Sequence, residues 1–183
     1  MPLTNCRAVR NQDEHQALRA CIPSRLLNLS GGNLAFMRVE PTGNERLTVR
    51  SDHDDYHISV EAGDDDGQPY WIIAARNREN AEHSEIVCMQ LYNGIFRRQP
   101  AHVTVVFTER EPCHGNADSC GDRLAEFLTA HGQHSTATPV RYLAVYLNTP
   151  ELKTAAKLDN GSVGGKRNED RQGGRDAAKS FRG

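Results

Sequence analysis

The sequence predicts a single α/β domain, and two observations lead to this prediction. The 183 residues are enough for one domain with a full hydrophobic core. Between residues 70 and 148, apolar runs typical of strands alternate with segments of helical period, which indicates a sheet with helices packed on its faces. A formal net charge of -2 and 37% hydrophobic residues exclude the overall basic excess of a dedicated nucleic-acid-binding protein.

The first part of the chain predicts an interrupted helix and then a meander of extended segments. Residues 13–29 carry apolar side chains at near-helical spacing, and Pro23 breaks this pattern. We interpret PTGNE at 41–45 as a hairpin turn and GDDDGQP at 63–69 as a charged loop. Four segments have the composition of strands: 34–40, 46–50, 56–62 and 70–76.

The hydrophobic period changes at residue 80. Asn80 is a suitable N-cap for a helix that runs through residue 93 and ends at Gly94. The run 102–108 is nearly all apolar or β-branched, which predicts a strand buried on both faces. The remaining predicted elements are a helix capped by Asp118 or Ser119 and stopped by Gly132, a strand at 139–148 and a short helix at 150–158.

We divide the chain into a leader at 1–12, a domain at 13–158 and a tail at 159–183. The tail is almost without apolar residues and rich in Gly, Arg and Asp, which predicts disorder. The first residues lack the apolar core of a signal peptide, and no apolar run approaches membrane-spanning length. We therefore expect a cytoplasmic site of action without a membrane partner. Five cysteines in such a chain favour free thiols over a disulfide framework.

Two short segments in the middle third carry the side chains best suited to catalysis. His83 and Glu85 lie in EHSE at 82–85, and Cys113 and Cys120 follow the buried strand. Histidine and two cysteines are good zinc ligands, and three ligands leave the fourth tetrahedral position open, as in catalytic sites. Because His83 and Glu85 are two residues apart, both can face one metal only at the start of a helix. The sequence therefore predicts two helix starts that converge at the carboxyl end of a strand.

The order of these motifs resembles the zinc deaminases of nucleobases, the cytidine deaminase-like superfamily, whose signature is HxE followed by PCxxC. HSE stands at 83–85 and PC at 112–113. TEREPC at 108–113 is similar to the deaminase domains of bacterial polymorphic toxins. The resemblance covers residues from about 34 to 148 and implies a three-layer α-β-α fold, with a mixed central sheet and helices on both faces. One departure is that six residues separate the two cysteines, where the common pattern has two.

The resemblance assigns roles to individual residues. Three of them bind zinc: His83, Cys113 and Cys120. Glu85 moves a proton from the attacking water to the leaving amine, so the reaction is a hydrolytic deamination. His114 and Asp118 are the alternative ligands for the longer loop. The backbone carbonyl of Glu111 accepts a hydrogen bond from the substrate amino group, and Asn77, with Asn80 as second choice, holds the sugar.

The resemblance further implies that the substrate is cytosine in single-stranded nucleic acid and that the enzyme acts as a toxin, with an immunity protein as a possible partner. Two alternatives stay open: a deaminase of a free nucleoside, nucleotide or small heterocycle, and an inactive deaminase-like or structural zinc module. We nominate one basic cluster for phosphate contacts, with a solvated charged surface equally compatible: Arg97, Arg98, Arg110 and Arg123. The remaining cysteines are interpreted as small buried apolar residues: Cys6, Cys21 and Cys88.

Overall fold

The computed structural model describes residues 3, 5–27, 32–43, 46–49, 55, 57–77, 82–113, 119–131 and 137–144. In this part of the chain, six strands and four helices form an α/β fold. The strands are β1 (Cys6–Ala8), β2 (Leu34–Pro41), β3 (Ile58–Asp65), β4 (Gln68–Arg76), β5 (Ala101–Arg110) and β6 (Val140–Ala144). The helices are α1 (Gln12–Ala20), α2 (Ser24–Leu27), α3 (Ser84–Ile95) and α4 (Cys120–Ala130).

The six strands form one mixed sheet in the order β1-β6-β5-β2-β4-β3. Strand β6 is parallel to both its neighbours, whereas β2 is antiparallel to both β4 and β5. Because β2 lies antiparallel between them, β4 and β5 run in the same direction. Their carboxyl ends and the beginning of β2 therefore lie at one edge of the sheet, which we call the carboxyl edge. Helices α3 and α4 follow β4 and β5, so both begin at this edge.

Helices cover both faces of the sheet, which confirms the predicted three-layer architecture. Alternate residues of β2 point to opposite faces, so Met37 belongs to one core cluster and Phe36 to the other. The first cluster packs against α3 and α4, and the second packs against α1 and α2. Phe36 stacks on Phe107 with ring centroids 5.1 Å apart, and both rings are fully buried. Burying each such side chain stabilises the fold by about 1.5–3 kcal/mol.

The N-terminal segment belongs to the sheet. We assign residues 1–12 to a leader from the sequence, whereas β1 lies within this range and pairs in parallel with β6. Three residues are too few for a periodic signal, so the sequence does not predict this strand. Glu14 on α1 holds the segment in place, because its carboxylate accepts hydrogen bonds from Arg7 at 2.6 and 3.1 Å and from Arg141 on β6 at 3.1 Å.

Replacing Glu14 with glutamine is expected to reduce stability in a pH-dependent manner. Hydrogen bonds from the Arg7 guanidinium, and further ones from Arg10 and Arg141, lower the pKa of Glu14 from 4.5 to about 2. Since the folded-state pKa is the lower one, this stabilisation is complete above about pH 4.5 and is lost as the pH falls towards 2. We expect Glu14→Gln to cost about 1–2 kcal/mol at pH 7, because solvent screens a carboxylate that is 19% exposed.

Urea unfolding at pH 7 and at pH 3 measures this dependence. The difference between wild type and Glu14→Gln should shrink to less than half at the lower pH. Glu126→Gln on the exposed side of α4 is the matched control and should change stability by less than about 0.5 kcal/mol at either pH. An equal loss for Glu14→Gln at both pH values would contradict the role given to its ion pairs.

Residues 63–69 form the tip of a β-hairpin and not the loop expected from the sequence. Strand β3 continues to Asp65 and β4 begins at Gln68, so the turn consists of Asp66 and Gly67 alone. Both turn residues have positive φ, 50° and 84°, which is the conformation that the Asp-Gly pair favours in tight hairpins. The Asp64 carboxylate accepts a hydrogen bond from the Gly67 N–H at 2.7 Å. The hairpin carries an acidic surface into solvent.

The predicted strand at 46–50 and the hairpin turn at 41–45 are wrong where the structure describes them. Residues 46–49 lie outside the strands, and β2 pairs with β4 and β5 on its two sides. Thr48 instead exchanges two hydrogen bonds with the side chain of Gln99, at 2.7 and 2.8 Å. Because β4 and β5 occupy both sides of β2, residues 46–49 cannot pair with β2, although Thr48 and Val49 are β-branched.

The helix predictions are confirmed in type, with shifted ends. The break at Pro23 separates α1 from α2, and α3 passes through Gly94 to end at Ile95. No described helix is long and apolar enough to cross a membrane. Several predictions lie outside the described residues: the cap Asn80, the stop Gly132, the end of the strand at 145–148, the helix at 150–158 and the tail at 159–183.

Candidate active site

Three side chains from different elements meet at the carboxyl edge. His83 is the N-cap of α3, Cys113 lies three residues after the end of β5, and Cys120 is the first residue of α4. The His83 Nδ1 atom lies 2.9 Å from the Cys120 Sγ atom and 3.8 Å from the Cys113 Sγ atom. All three ligand atoms lie within 4.8 Å of one another. The structure thus brings together the three zinc ligands predicted from the sequence.

The donor set fits a tetrahedral zinc ion. For Zn–S of about 2.3 Å and Zn–N of about 2.0–2.1 Å, neighbouring ligand atoms should be roughly 3.5–3.8 Å apart. The separation of 3.8 Å between His83 and Cys113 lies in this range, whereas the 2.9 Å between His83 and Cys120 is a hydrogen-bond distance that has to widen when a metal binds. Among the described residues, no fourth His, Cys, Asp or Glu joins the group. The alternative ligands His114 and Asp118 lie outside the described residues. The described residues thus direct one nitrogen and two sulfur ligands to one point. Three protein ligands are the number found in catalytic zinc sites.

Cys113 is prepared to act as a thiolate. Its Sγ atom accepts a hydrogen bond from the backbone N–H of Cys120 at 3.1 Å, at the beginning of α4. The hydrogen bond with the Cys120 side chain is the largest of several effects, including the nearby His83, that lower the pKa of Cys113 to about 5. The same bond raises the pKa of Cys120. Because the thiolate is the form that binds metals, this environment favours metal binding.

The cap of each helix fixes where these ligands lie. Helix α3 begins after His83 and not after Asn80, and the extended backbone of His83, with φ -64° and ψ 145°, directs the chain into the helix. Ser119 caps α4, as one of the two predicted choices, by accepting a hydrogen bond from the N–H of Asp122. The N–H groups of a first helical turn and the helix dipole both favour negative charge at this point.

Glu85 lies buried in the first turn of α3. Only 3% of the residue is exposed, and its Oε1 atom accepts a hydrogen bond from the Thr108 hydroxyl at 2.8 Å. Burial raises the pKa of Glu85 above its ordinary value, while the Thr108 hydrogen bond and the charge of His83 act in the opposite direction. A buried carboxylate with a raised pKa, next to a group of metal ligands, is suited to general acid–base chemistry.

The two predicted substrate contacts occupy different surroundings. Asn77 directly follows β4, and its Oδ1 atom accepts a hydrogen bond from the backbone N–H of Asn33. Glu111 follows β5, and burial together with the charge of Glu111 raises the pKa of Cys6 and of Tyr142. The backbone carbonyl of Glu111 lies two residues before Cys113 in the chain. Their roles towards a substrate stay predictions.

Two residues of this site are not predicted from the sequence. Asn33 and Thr108 contact Glu85 directly, through hydrogen bonds of 3.1 and 2.8 Å to its Oε1 atom. Thr108 lies near the carboxyl end of a predicted buried strand, which is the position where a polar side chain reaches the site. That position was the available signal for Thr108. Asn33 has no local signal, because its place follows from the antiparallel pairing of β2.

The predicted basic cluster is not one surface. Arg97 and Arg98 follow the C-terminal end of α3, whereas Arg110 ends β5 at the carboxyl edge. A helix of 12 residues is roughly 18 Å long, so Arg97 and Arg98 lie that far from the candidate metal ligands.

Among the other cysteines, Cys88 is fully buried as expected, while Cys6 and Cys21 are only partly buried.

Comparison with known proteins identifies the family. A family model described as Xanthomonas-like deaminase matches residues 53–146, which is just over half of the chain. The matched range contains the three potential metal ligands and Glu85. No curated protein and no solved structure matches the chain. On the family match, this chain belongs to the Xanthomonas-like deaminases.

Proposed function

We propose that this chain is a zinc-dependent hydrolytic deaminase that converts cytosine to uracil in single-stranded nucleic acid. One observation carries the proposal: Glu85 is a buried carboxylate in the first turn of the helix that His83 caps, and His83 meets two cysteines at the same sheet edge. Deamination of a base by water needs these two components, a site for a Lewis acid and a group that moves protons.

The residues divide the chemistry among them. Zinc bound by His83, Cys113 and Cys120 would lower the pKa of a water molecule to about 7. Glu85 takes a proton from the water that attacks C4 of cytosine and gives a proton to the amino group as the C–N bond breaks. Water is consumed, ammonia leaves, a carbonyl replaces the amine, and Glu85 returns to its initial state. Burial of Glu85 keeps competing water away from this transfer.

Substrate contacts complete the proposal. The backbone carbonyl of Glu111 would accept a hydrogen bond from the amino group that leaves. Asn77 would reach the sugar through its Nδ2 atom, because its Oδ1 atom is already bonded to the backbone of Asn33. The choice of cytosine, the action as a toxin in a cytoplasm and an immunity protein as partner rest on the resemblance of HSE and TEREPC to the toxin deaminases.

A free nucleoside or nucleotide is the second candidate substrate. The observation that favours it is the acidic hairpin of β3 and β4, which exposes four carboxylates, in a chain with a net charge of -2. The carboxylates in question are Glu61, Asp64, Asp65 and Asp66. A long polyanion would be repelled by this surface, whereas a single nucleotide that binds at the carboxyl edge would be affected less.

Metal analysis and substrate competition test the proposal together. Purified protein should contain one zinc per chain and form uracil in single-stranded DNA or RNA oligonucleotides, detected by mass spectrometry of the digested product. Uracil formation from free cytidine or its nucleotide, with none in an oligonucleotide, would favour the second candidate. Zinc-loaded protein that forms hypoxanthine from adenine, or no deaminated base at all, would overturn the choice of cytosine.

A further inference from the structure

The side chain of Asn33 lies between Glu85 and the end of β5. Its Nδ2 atom is 2.8 Å from the Thr108 Oγ1 atom, 3.1 Å from the Glu85 Oε1 atom and 3.1 Å from the Ser84 Oγ atom. Its Oδ1 atom accepts a hydrogen bond from the backbone N–H of Arg110 at 3.1 Å. Because a backbone N–H can only donate, the amide oxygen must face Arg110 and the amide nitrogen must face Glu85. The orientation of this amide is therefore fixed.

Thr108 completes the arrangement around one carboxylate oxygen. Its hydroxyl accepts a hydrogen bond from Asn33, so its single proton is directed to the Glu85 Oε1 atom at 2.8 Å. Oε1 thus receives two donors. Oε2 receives one longer contact among the described residues, from the Ser84 hydroxyl at 3.3 Å. The two oxygens of Glu85 are consequently not equivalent.

The backbone holds Asn33 in this position independently of Glu85. The Asn33 carbonyl accepts a hydrogen bond from the N–H of Asn77 at 3.0 Å, and the Asn33 N–H donates to the Asn77 side chain. Gly32 precedes it with φ 68°, and a Cβ atom there would lie 2.0 Å from the Asn77 carbonyl oxygen. The close approach of these two segments requires glycine, and it directs the Asn33 side chain to Glu85.

We infer that Asn33 and Thr108 are positioning residues that hold Oε1 of Glu85, so that Oε2 is the oxygen that exchanges protons with water and substrate. The inference rests on the proposed function for the proton transfer itself. A carboxylate held by one oxygen keeps the other at a constant distance from the reacting atoms, and a displacement of about 1 Å can cost on the order of 10²-fold in rate. Neither residue needs to contact the metal or the substrate.

Isosteric substitution of Thr108 separates positioning from folding. Thr108→Val removes the hydroxyl alone, and we expect kcat to fall roughly 10–100-fold with little change in KM or zinc content. Thr108→Ser, which restores the hydroxyl, should recover most of the rate. Thr104→Val on the same strand is the matched control, because Thr104 lies four residues before Thr108 and its hydroxyl contacts Glu40. The rate of this variant should equal that of wild type. Asn33→Ala should lower kcat in the same range. The double variant Asn33→Ala/Thr108→Val should lower kcat by no more than the product of the two single fold-changes.

Crystal structures of the wild type and Thr108→Val give a second readout that needs no substrate. The wild type should show one orientation of the Glu85 carboxylate, with Oε1 on Asn33, and the variant should show a rotated or divided one. This result distinguishes the two proposals, since the positioning can be seen even in a protein that does not deaminate cytosine. An unchanged carboxylate in Thr108→Val, or an active wild type whose kcat survives that substitution, would overturn the inference.

Discussion

Glu85→Gln is expected to lower kcat by roughly 10²–10⁴-fold while the protein keeps its fold and its zinc. Glutamine has the shape of glutamate, and its amide oxygen can still accept the hydrogen bonds from Asn33 and Thr108. What it loses is the ability to take up and release a proton. Steady-state kinetics with the oligonucleotide or nucleoside that the wild type deaminates, together with zinc content by mass spectrometry, measure this loss.

The control for this variant is Glu82→Gln, which changes an exposed carboxylate three residues earlier whose side chain is bonded to Gln90. It should keep the rate of wild type. We also expect Glu85→Gln to unfold at the same temperature as wild type or higher, because burial opposes a charge at this position. A Glu85→Gln protein with zinc bound and full activity would remove Glu85 from the mechanism.

The three candidate metal ligands are predictable from the sequence because their signal is local. HSE lies at the start of α3, PC lies shortly after β5, and the composition of this buried strand is clear in the sequence. The sequence places the start of α3 three residues too early, because asparagine at position 80 is a better N-cap than histidine at position 83. A helix start at His83 suits the site better than one at Asn80, because a ligand at the N-cap and a carboxylate in the first turn can both face the carboxyl edge.

The surroundings of Glu85 could not be predicted because they depend on pairing between distant segments. Asn33 is 75 residues from Thr108 and reaches it only because β2 runs antiparallel between β4 and β5. The sequence indicates strands through composition, and composition does not specify which strands are neighbours. For the same reason residues 46–49 have the composition of a strand without being one.

Replacing either partner of the buried ion pair between Arg76 and Glu109 is expected to lower the free energy of unfolding strongly. Their side chains are 2% and 4% exposed, with hydrogen bonds of 3.0 and 3.3 Å between them. The pair also connects the segment that carries Asn33 to the sheet, because Arg76 donates to the Gly32 carbonyl and Glu109 accepts from the Leu34 N–H. Removing one partner leaves the other charge buried without its counter-ion, which costs about 3–5 kcal/mol.

Urea unfolding of Arg76→Met, Glu109→Gln and the double variant measures this cost. Each single variant should lose about 3–5 kcal/mol, a large part of the roughly 5–15 kcal/mol that stabilises a domain. The double variant should lose less than the sum, because neither charge is then left without its counter-ion. Asp65→Asn is the control, since it breaks the solvent-exposed pair with Arg38 and should cost at most about 1 kcal/mol. If either single variant loses no more than this control, the buried pair does not hold the Asn33 segment in place, and the orientation of Glu85 must have another support.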